Sequence, residues 1–209
     1  MRKKSTPAAV GRKSAYVARN RAALIKAAQT VLADIGPEAS IEDFAEAAQI
    51  SVSTIYKHFE NKDALIDVAF VEAFRDWEAW ADEAQETIKD PLEELVVPMR
   101  LFLRLKRTHP LYAGMMARNF SNLGKYLLPN SENLLIHAKE LHAAKVLTCD
   151  NIPVRIRSVS ASLVAALGDQ LFNPDSKESD GDIAIEVILD LLSIPSAKAK
   201  KLTSSHLAI

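Results

Sequence analysis

The sequence predicts an all-α protein of about nine helices. Apolar residues recur at intervals of three and four along most of the chain, as they do on one face of an α-helix. The chain has only six glycines in 209 residues, so long stretches run without a flexible break. Apolar and polar residues do not alternate at period two for long, and we therefore expect no β-sheet.

The first two helices have clear start and stop signals. An apolar stripe from Leu24 to Ile35 predicts the first helix, which ends at Gly36-Pro37 because glycine accepts a left-handed C-cap and proline cannot continue the helix. Ser40 is the expected N-cap of the second helix, with Asp43 three residues later as its capping-box partner. Residues 1–18 show no periodicity and are rich in Arg and Lys, which predicts a mobile basic arm.

The third helix has the residue composition of a DNA-reading element. Ser51 is its expected N-cap, and Ile55 and Phe59 face one way at i, i+4. The outward residues include no acid, and short hydroxyls with one cation suit a helix that enters the major groove. The hydroxyl of Tyr56 can reach a phosphate, although packing of its ring against the domain is the simpler role. The candidate DNA-contacting residues are Ser40, Ser51, Val52, Ser53, Thr54, Tyr56, Lys57, His58 and Lys62.

A fourth helix is predicted from Lys62 to about Glu86, with Asn61 as its cap. Lys62 lies in the first turn, where the helix dipole disfavours a cation. A DNA phosphate would compensate that charge, because the helix N-terminus and the lysine would bind the same anion. The alternative is an exposed lysine that costs about a few tenths of a kcal/mol.

Five more helices are predicted in the second part of the chain. The fifth starts at Asp90-Pro91, ends near Thr108 and is expected to kink at Pro98. The remaining four are expected at about 111–120, 132–147, from the 149–153 loop to Phe172, and 182–192, followed by a tail at 196–209.

Charge and composition limit the partners. Residues 1–62 carry a net charge of +4 and the remainder −5, which suggests a polyanionic partner for the front of the chain only. A solvated basic tail explains the charge of the arm equally well. Cys149 is the single cysteine, which fits a reducing cytoplasm. Neither an apolar run of the ~20 residues that a membrane span needs nor a secretion signal is found, so we expect a cytoplasmic protein.

The stretch SVSTIYKHFENKDAL, which begins at Ser51, resembles the recognition-helix signature of TetR/AcrR-type (tetracycline-repressor-like) transcriptional regulators. The family pattern runs approximately Gly-Val-Ser-x-Gly-Thr-Leu-Tyr-x-His-Phe, then Ser-Lys-Glu-x-Leu, and the resemblance covers about residues 19–66. Gln49 stands where the family usually has the turn glycine, which implies a turn without positive φ or a strained one. Ser53 stands where glycine is frequent, and its hydroxyl can touch a base or a phosphate.

The resemblance implies four segments: a basic arm at 1–18, a helix-turn-helix DNA-binding domain at 19–66, a helical effector-binding and dimerisation domain at 67–195, and a tail at 196–209. It implies a transcriptional regulator, and we expect a repressor that a small-molecule effector releases from its operator, with no cofactor. In the family the last two helices form a four-helix bundle with the partner copy. Carried over, the dimer interface comprises Ile156, Val159, Leu163, Ile185, Ile188 and Leu192; the alternative is that these residues only fill the protomer's own core.

The family also suggests an effector cavity among the middle helices. Met and aromatic side chains can line an adaptable apolar pocket, and the expected ligand is small and mostly apolar or aromatic. Ordinary core packing is the alternative for each candidate. The candidate pocket residues are Trp77, Trp80, Phe102, Tyr112, Met115, Met116, Phe120 and His137.

Catalytic signals are weak, and we expect no enzyme. The sequence has neither a Gly-x-Ser-x-Gly elbow nor a phosphate-binding glycine loop. His137 and His142 are five residues apart and face different sides of a helix, so no metal site is expected. Two rivals remain. One is a ligand-independent structural DNA-binding protein of the same fold, which a solid core would favour. The other is a helical enzyme or lipid carrier that has lost DNA binding.

Overall fold

The computed structural model describes residues 7–127 and 132–207, without the side chains of residues 7–17 and 127. Within these ranges the chain folds into twelve α-helices and one 3₁₀ turn and has no strand, so the all-α prediction is confirmed. The helices are α1 (Pro7–Asp34), α2 (Ile41–Ala47), α3 (Val52–Ile55), α4 (Lys62–Ala84), α5 (Pro91–Phe102), α6 (Leu105–Thr108), α7 (Pro110–Arg118), α8 (Leu123–Leu127), α9 (Glu132–Ala143), α10 (Ile152–Phe172), α11 (Glu178–Asp190) and α12 (Ser196–Thr203).

The first helix is longer than the sequence predicts. It begins at Pro7, so the mobile arm expected at 1–18 is wrong for residues 7–18, and residues 1–6 lie outside the described part of the chain. Proline is well suited to a first helical turn, and the alanines that follow are strong helix formers.

Helix α4 connects the N-terminal helices to the body of the protein. It has 23 residues, which corresponds to a length of about 35 Å. The side chain of Asn61 accepts a hydrogen bond from the Ala64 N–H at 2.8 Å, which confirms the predicted cap. Leu65 and Ala69 are buried at its first turns, near α1, whereas Trp77 is buried in its second half. The domain boundary expected after residue 66 therefore falls inside one continuous helix.

The predicted fifth helix is two helices, α5 and α6, separated by Leu103 and Arg104. Two buried arginines of this region bind the Asp182 carboxylate of α11: Arg100 Nε at 2.8 Å and Arg104 Nη2 at 2.6 Å. Arg100 also donates to the Ser205 carbonyl at 2.8 Å. Burial raises the pKa of Asp182, but the hydrogen bonds and charges of the two arginines outweigh burial and leave that pKa lowered. This network ties α5 to α11 and to the end of the chain.

The tail expected after Pro195 is largely an ordered helix. Helix α12 packs against α5 and α11 and buries Ala199 and Leu202. The sequence obscured this helix, because its two apolar contacts are spread among several lysines. The prediction of a tail is therefore wrong for residues 196–203.

Candidate nucleic-acid interface and ligand cavity

The N-terminus of α2 has the predicted capping box. The Ser40 hydroxyl accepts from the Asp43 N–H at 3.2 Å and donates to Asp43 Oδ2 at 2.7 Å, and the Ser40 N–H donates to the same oxygen at 2.6 Å. These hydrogen bonds lower the pKa of Asp43. Ser40 is exposed, yet its hydroxyl already holds the cap, so any DNA contact it makes must compete with that bond.

The turn between α2 and α3 is strained. Gln49 has a φ of +54°, a left-handed conformation that favours glycine. The Ile50 N–H donates to the Ala45 carbonyl at 3.0 Å, and the Gln49 N–H to the Glu46 carbonyl at 3.0 Å. This pair of bonds is a Schellman motif, which places the residue after the C-cap in the left-handed region. The sequence left open whether this turn avoids a positive φ or is strained, and the structure has the strained conformation.

Helix α3 is a solvent-facing rod. Beyond Ile55 its turns continue through hydrogen bonds from the His58 and Phe59 N–H groups to the Ile55 carbonyl, at 2.8 and 3.0 Å. Ile55 and Phe59 are buried as predicted, whereas Ser53, Tyr56 and Lys57 are exposed. The ring of Tyr56 remains 52% exposed, so it does not pack fully against its own domain.

Hydroxyls cluster at the N-terminus of α3. Ser51 occupies the N-cap position but makes no side-chain bond to the backbone there. Its oxygen instead lies 2.9 Å from both Ser53 Oγ and Thr54 Oγ1. Val52, Thr54 and His58 are half-buried. Hydroxyls can donate or accept, so this cluster can adapt to either kind of group on a base edge or a phosphate.

Lys62 already has partners inside the protein. Its ammonium group donates to the Ala39 carbonyl at 3.0 Å and to the Pro37 carbonyl at 3.3 Å. These carbonyls compensate a cation in the first turn of α4, for which the sequence left open a DNA phosphate or an exposed lysine. Lys62 therefore fastens the start of α4 to the loop between α1 and α2.

Two further contacts hold α3 and α4 against α1. The Arg21 guanidinium lies 5.1 Å from the centre of the Phe59 ring, within cation–π range. The buried Gln29 amide donates to the Ala69 carbonyl of α4 at 3.2 Å. The exposed face of α3 is thus presented on a fixed three-helix support.

Residues 24–69 match the model of a family described as bacterial regulatory proteins, tetR family. This segment is therefore similar to the tetR family over 46 of the 209 residues. The match spans the second half of α1 through the first turns of α4, and it includes the strained turn and the α3 rod. A search of curated proteins found no significant match.

Solved structures of similar chain length have the same fold. RolR in complex with resorcinol is 22% identical over 94% of this chain and 98% of its own, with a TM-score of 0.70. The fatty acid degradation regulator FadR from Bacillus halodurans is 17% identical over 91% and 97%, with a TM-score of 0.61. NalD, a secondary repressor of the MexAB-OprM efflux pump in Pseudomonas aeruginosa, is 19% identical over 85% and 95%, with a TM-score of 0.55. Identities this low establish the fold alone.

The helices after residue 69 enclose a cavity of about 290 Å³, which lies between α4, α5, α9 and α10. Three of the predicted pocket residues line it: Trp77, Phe102 and His137. The ring centre of Trp77 lies 5.5 Å from that of Phe102. The other lining residues are Phe74, Glu78, Ala81, Asp82, Gln85, Glu94, Leu95, Pro98, Met99, Asn133, Leu134, Ser160, Leu163 and Val164.

The other five predicted pocket residues lie outside this lining. Met115, Met116 and Tyr112 are buried in the core, and burial raises the pKa of the Tyr112 phenol far above its ordinary value. Trp80 packs edge-on against His109, and Phe120 against Phe172. Met115, Met116 and Tyr112 therefore fit the alternative of ordinary core packing. Trp80 and Phe120 instead pack against rings outside the cavity.

Sequence analysis missed the polar part of the lining. Ser160 follows Val159 on α10, and its side chain is buried among mostly apolar residues of that helix. A serine at a core position of a helix is the one local signal that marks such a site. Glu78 and Asn133 carried no comparable signal. They meet only in the folded chain, where the Asn133 amide donates to Glu78 at 3.0 Å.

The six residues predicted for the dimer interface lie in the core of the single chain, where each is between 0% and 8% exposed. The core-filling alternative accounts for them. Other apolar side chains of α10 and α11 are exposed on the solvent-facing sides of these two helices. These are Val154, Phe172, Ile183 and Val187, and Val187 is 66% exposed.

The described residues contain no cluster of three or more side chains suited to a metal ion. His137 instead lies with Nε2 4.0 Å from a Glu94 oxygen. In the same ranges, every helix is too short or too polar to cross a membrane.

Proposed function

We propose that this protein is a homodimeric transcriptional repressor, which a small molecule bound in the cavity releases from operator DNA. The observation that carries the proposal is the position of two features on one helix. The start of α4 supports the acid-free α3 rod, and its second half supplies five of the cavity-lining residues.

The exposed face of α3 is the proposed reading surface. Lys57 and Ser53 project from it into solvent, and Thr54 belongs to the hydroxyl cluster at its N-terminus. A lysine pairs well with the acceptor edge of guanine, and hydroxyls accept or donate to several bases. Lys57→Ala and Thr54→Ala are expected to change which base pairs are preferred.

The dimer is proposed to form through the exposed faces of α10 and α11, which pack side by side. Ile183 and Val187 follow one another by one turn on α11, and the small residues Ala161 and Ala165 are exposed on α10. Paired half-sites about 34–36 Å apart require two copies of a helix-turn-helix. A second copy would cover this apolar surface.

Light scattering tests the dimer. Val187→Glu would bury an unpaired charge in the interface and is expected to give a monomer. Val71→Glu is the matched control, since Val71 is also an exposed valine in a helix but lies on α4. If both variants stay dimeric, the proposed surface is wrong.

Ligand response is proposed to pass through α4 and through the contact of α1 with α7. Gly114 of α7 lies so close to α1 that an added Cβ would stand 3.2 Å from the Ala33 Cβ, so the two helices are tightly packed at this point. A ligand changes DNA affinity only if it binds one arrangement of these helices better than the other. RolR, which shares the fold, has been solved with the small aromatic molecule resorcinol, which supports a ligand of that size here.

The experiment selects DNA fragments of the source genome that bind the full-length protein, then measures operator affinity by fluorescence anisotropy at fixed salt. An effector identified in a ligand screen should lower that affinity by a factor of about 5–150. Unchanged affinity with the cavity occupied would favour the ligand-independent DNA-binding protein. No affinity for any DNA at low salt would contradict both.

A further inference from the structure

Three buried polar atoms on the cavity lining have no hydrogen-bond partner among the described residues: Trp77 Nε1, Ser160 Oγ and Gln85 Oε1. Leaving such an atom unpaired costs about 1–3 kcal/mol. Trp77 and Ser160 are more than nine-tenths buried and come from opposite helices, α4 and α10. Their donor groups are suited to a ligand that carries an oxygen acceptor.

The side chains of the cavity lining that carry a full charge are all acidic. Glu78, Asp82 and Glu94 line the cavity, whereas no lysine or arginine of the described chain does so. The imidazole of His137 is the one basic group in the lining, and it lies beside Glu94. Arg75, which lies on α4 with Glu78 and Asp82, is outside the lining and pairs with Glu72 at 3.3 Å, although its charge also lowers the pKa of Glu78.

A ligand that enters removes water from these carboxylates. Glu78 is already half-buried, and desolvation raises its pKa in spite of the hydrogen bond from Asn133. Further desolvation is costly unless an opposite charge compensates it. An anionic ligand adds repulsion, a neutral ligand leaves the cost in place, and a cation offsets it.

The apolar walls also favour a cation. The rings of Phe74, Trp77 and Phe102 line the cavity, with centroid separations of 5.6 Å and 5.5 Å along that series. Aromatic faces carry negative potential and attract ammonium groups, most strongly in a desolvated site. Since a dry cavity of about 150 Å³ holds one benzene ring, the 290 Å³ here has space for a one- or two-ring molecule.

We propose that the cavity selects a monocationic aromatic amine that carries a phenol or ether oxygen. Its ammonium group lies among Glu78, Asp82 and Glu94, its ring packs against the Trp77 and Phe102 rings, and its oxygen accepts from Trp77 Nε1–H. The inference rests on the proposed function only in assigning this molecule a regulatory effect. Selection by charge is a property of the cavity itself.

Three probes of nearly equal shape test the charge selection by isothermal titration calorimetry on the full chain: tyramine (cationic), 4-ethylphenol (neutral) and 3-(4-hydroxyphenyl)propionate (anionic). Tyramine is expected to bind about tenfold more tightly than 4-ethylphenol, with the anion weakest. Equal or tighter binding of the neutral or anionic probe overturns the proposal. So does failure of all three to bind at millimolar concentration.

A charge-neutralising variant locates the effect. Glu78→Gln should weaken tyramine about fivefold and leave 4-ethylphenol unchanged. Glu83→Gln is the matched control, because Glu83 is an exposed glutamate of the same helix outside the lining. An equal change in both variants, or an equal effect of Glu78→Gln on both ligands, would show that the carboxylate does not select charge.

Operator affinity separates this inference from the proposed function. If tyramine binds in the expected order but operator affinity is unchanged, charge selection stands and ligand-induced release fails. If another molecule releases the DNA while the three probes show no charge preference, the regulator stands and the proposed ligand class is wrong.

Discussion

Replacing Gln49 by glycine should stabilise the protein, although glycine usually destabilises a folded chain. The residue has a φ of +54° and sits at the left-handed position of the Schellman motif that ends α2. A side chain in that region costs about 1–2 kcal/mol relative to glycine. Glycine also gains about 0.4–1 kcal/mol of entropy in the unfolded chain, which opposes the effect. The net expectation is a stabilisation of about 0.5–1 kcal/mol.

Thermal and urea unfolding measure this change. For a chain of this size the melting temperature should rise by about 1–4 °C. Gln49→Ala should have almost no effect, because alanine keeps the Cβ that causes the strain. Lys145→Gly should behave like Gln49→Gly, since Lys145 has a φ of +60° at the end of α9 and its N–H donates to the His142 carbonyl at 3.0 Å.

Glu46→Gly is the opposing control. Glu46 is exposed on the same short helix without positive φ, so glycine there should destabilise the protein by about 0.5–1 kcal/mol. If Gln49→Gly destabilises the protein as much as Glu46→Gly does, the turn is not left-handed in solution and the argument from strain is refuted. Operator affinity should not change with Gln49→Gly, because the variant keeps the turn that α3 already has.

Three further predictions concern other parts of the fold. Asp182→Ala should cost about 3–5 kcal/mol in urea unfolding, because it removes the carboxylate shared by two buried arginines; a loss under about 1 kcal/mol would contradict the network. Since the folded pKa of Asp182 is lowered, its contribution is present above its unfolded pKa of about 4 and is lost as pH falls below that value, so Asp182→Asn should flatten the acid limb of stability. Ser160→Ala should raise stability by about 1 kcal/mol, since it removes an unpaired buried hydroxyl, and a lower melting temperature would show that the hydroxyl has a partner. Lys62→Ala should loosen the loop that Lys62 binds and weaken binding to all DNA sequences alike; a drop of about one in the salt slope, with stability unchanged, would instead assign it to a phosphate.

The helix caps and the buried face of the N-terminal helices could be predicted, because they depend on residues close together in the sequence. The Ser40–Asp43 box and the Asn61 cap each form within three residues, and the structure has both. The i, i+4 pair of Ile55 and Phe59 likewise fixed which face of α3 is buried. Gln49 was the exception: sequence raised the question of strain, and only the backbone answered it.

Lys62 is a position where local sequence did not suffice. The sequence placed a cation at a helix N-terminus, but it did not identify the group that compensates this charge. The carbonyls that fill that role come from residues 23 and 25 positions earlier. No local pattern connects those positions, so a DNA phosphate and a protein carbonyl could not be told apart.

What the sequence determined by itself was the helical class of the segments between the expected arm and tail, with an acid-free rod at residues 51–59 and two apolar helices near the end. Tertiary structure alone decided which apolar face is covered within the chain and which is left open, and so it moved the proposed dimer surface from Val159 and Ile188 to the face of Val187. It also joined Glu78, Asn133 and Ser160 around one cavity. The physical reason is that periodicity records that a helix face is apolar, while the identity of the group that covers it depends on packing between residues far apart along the chain.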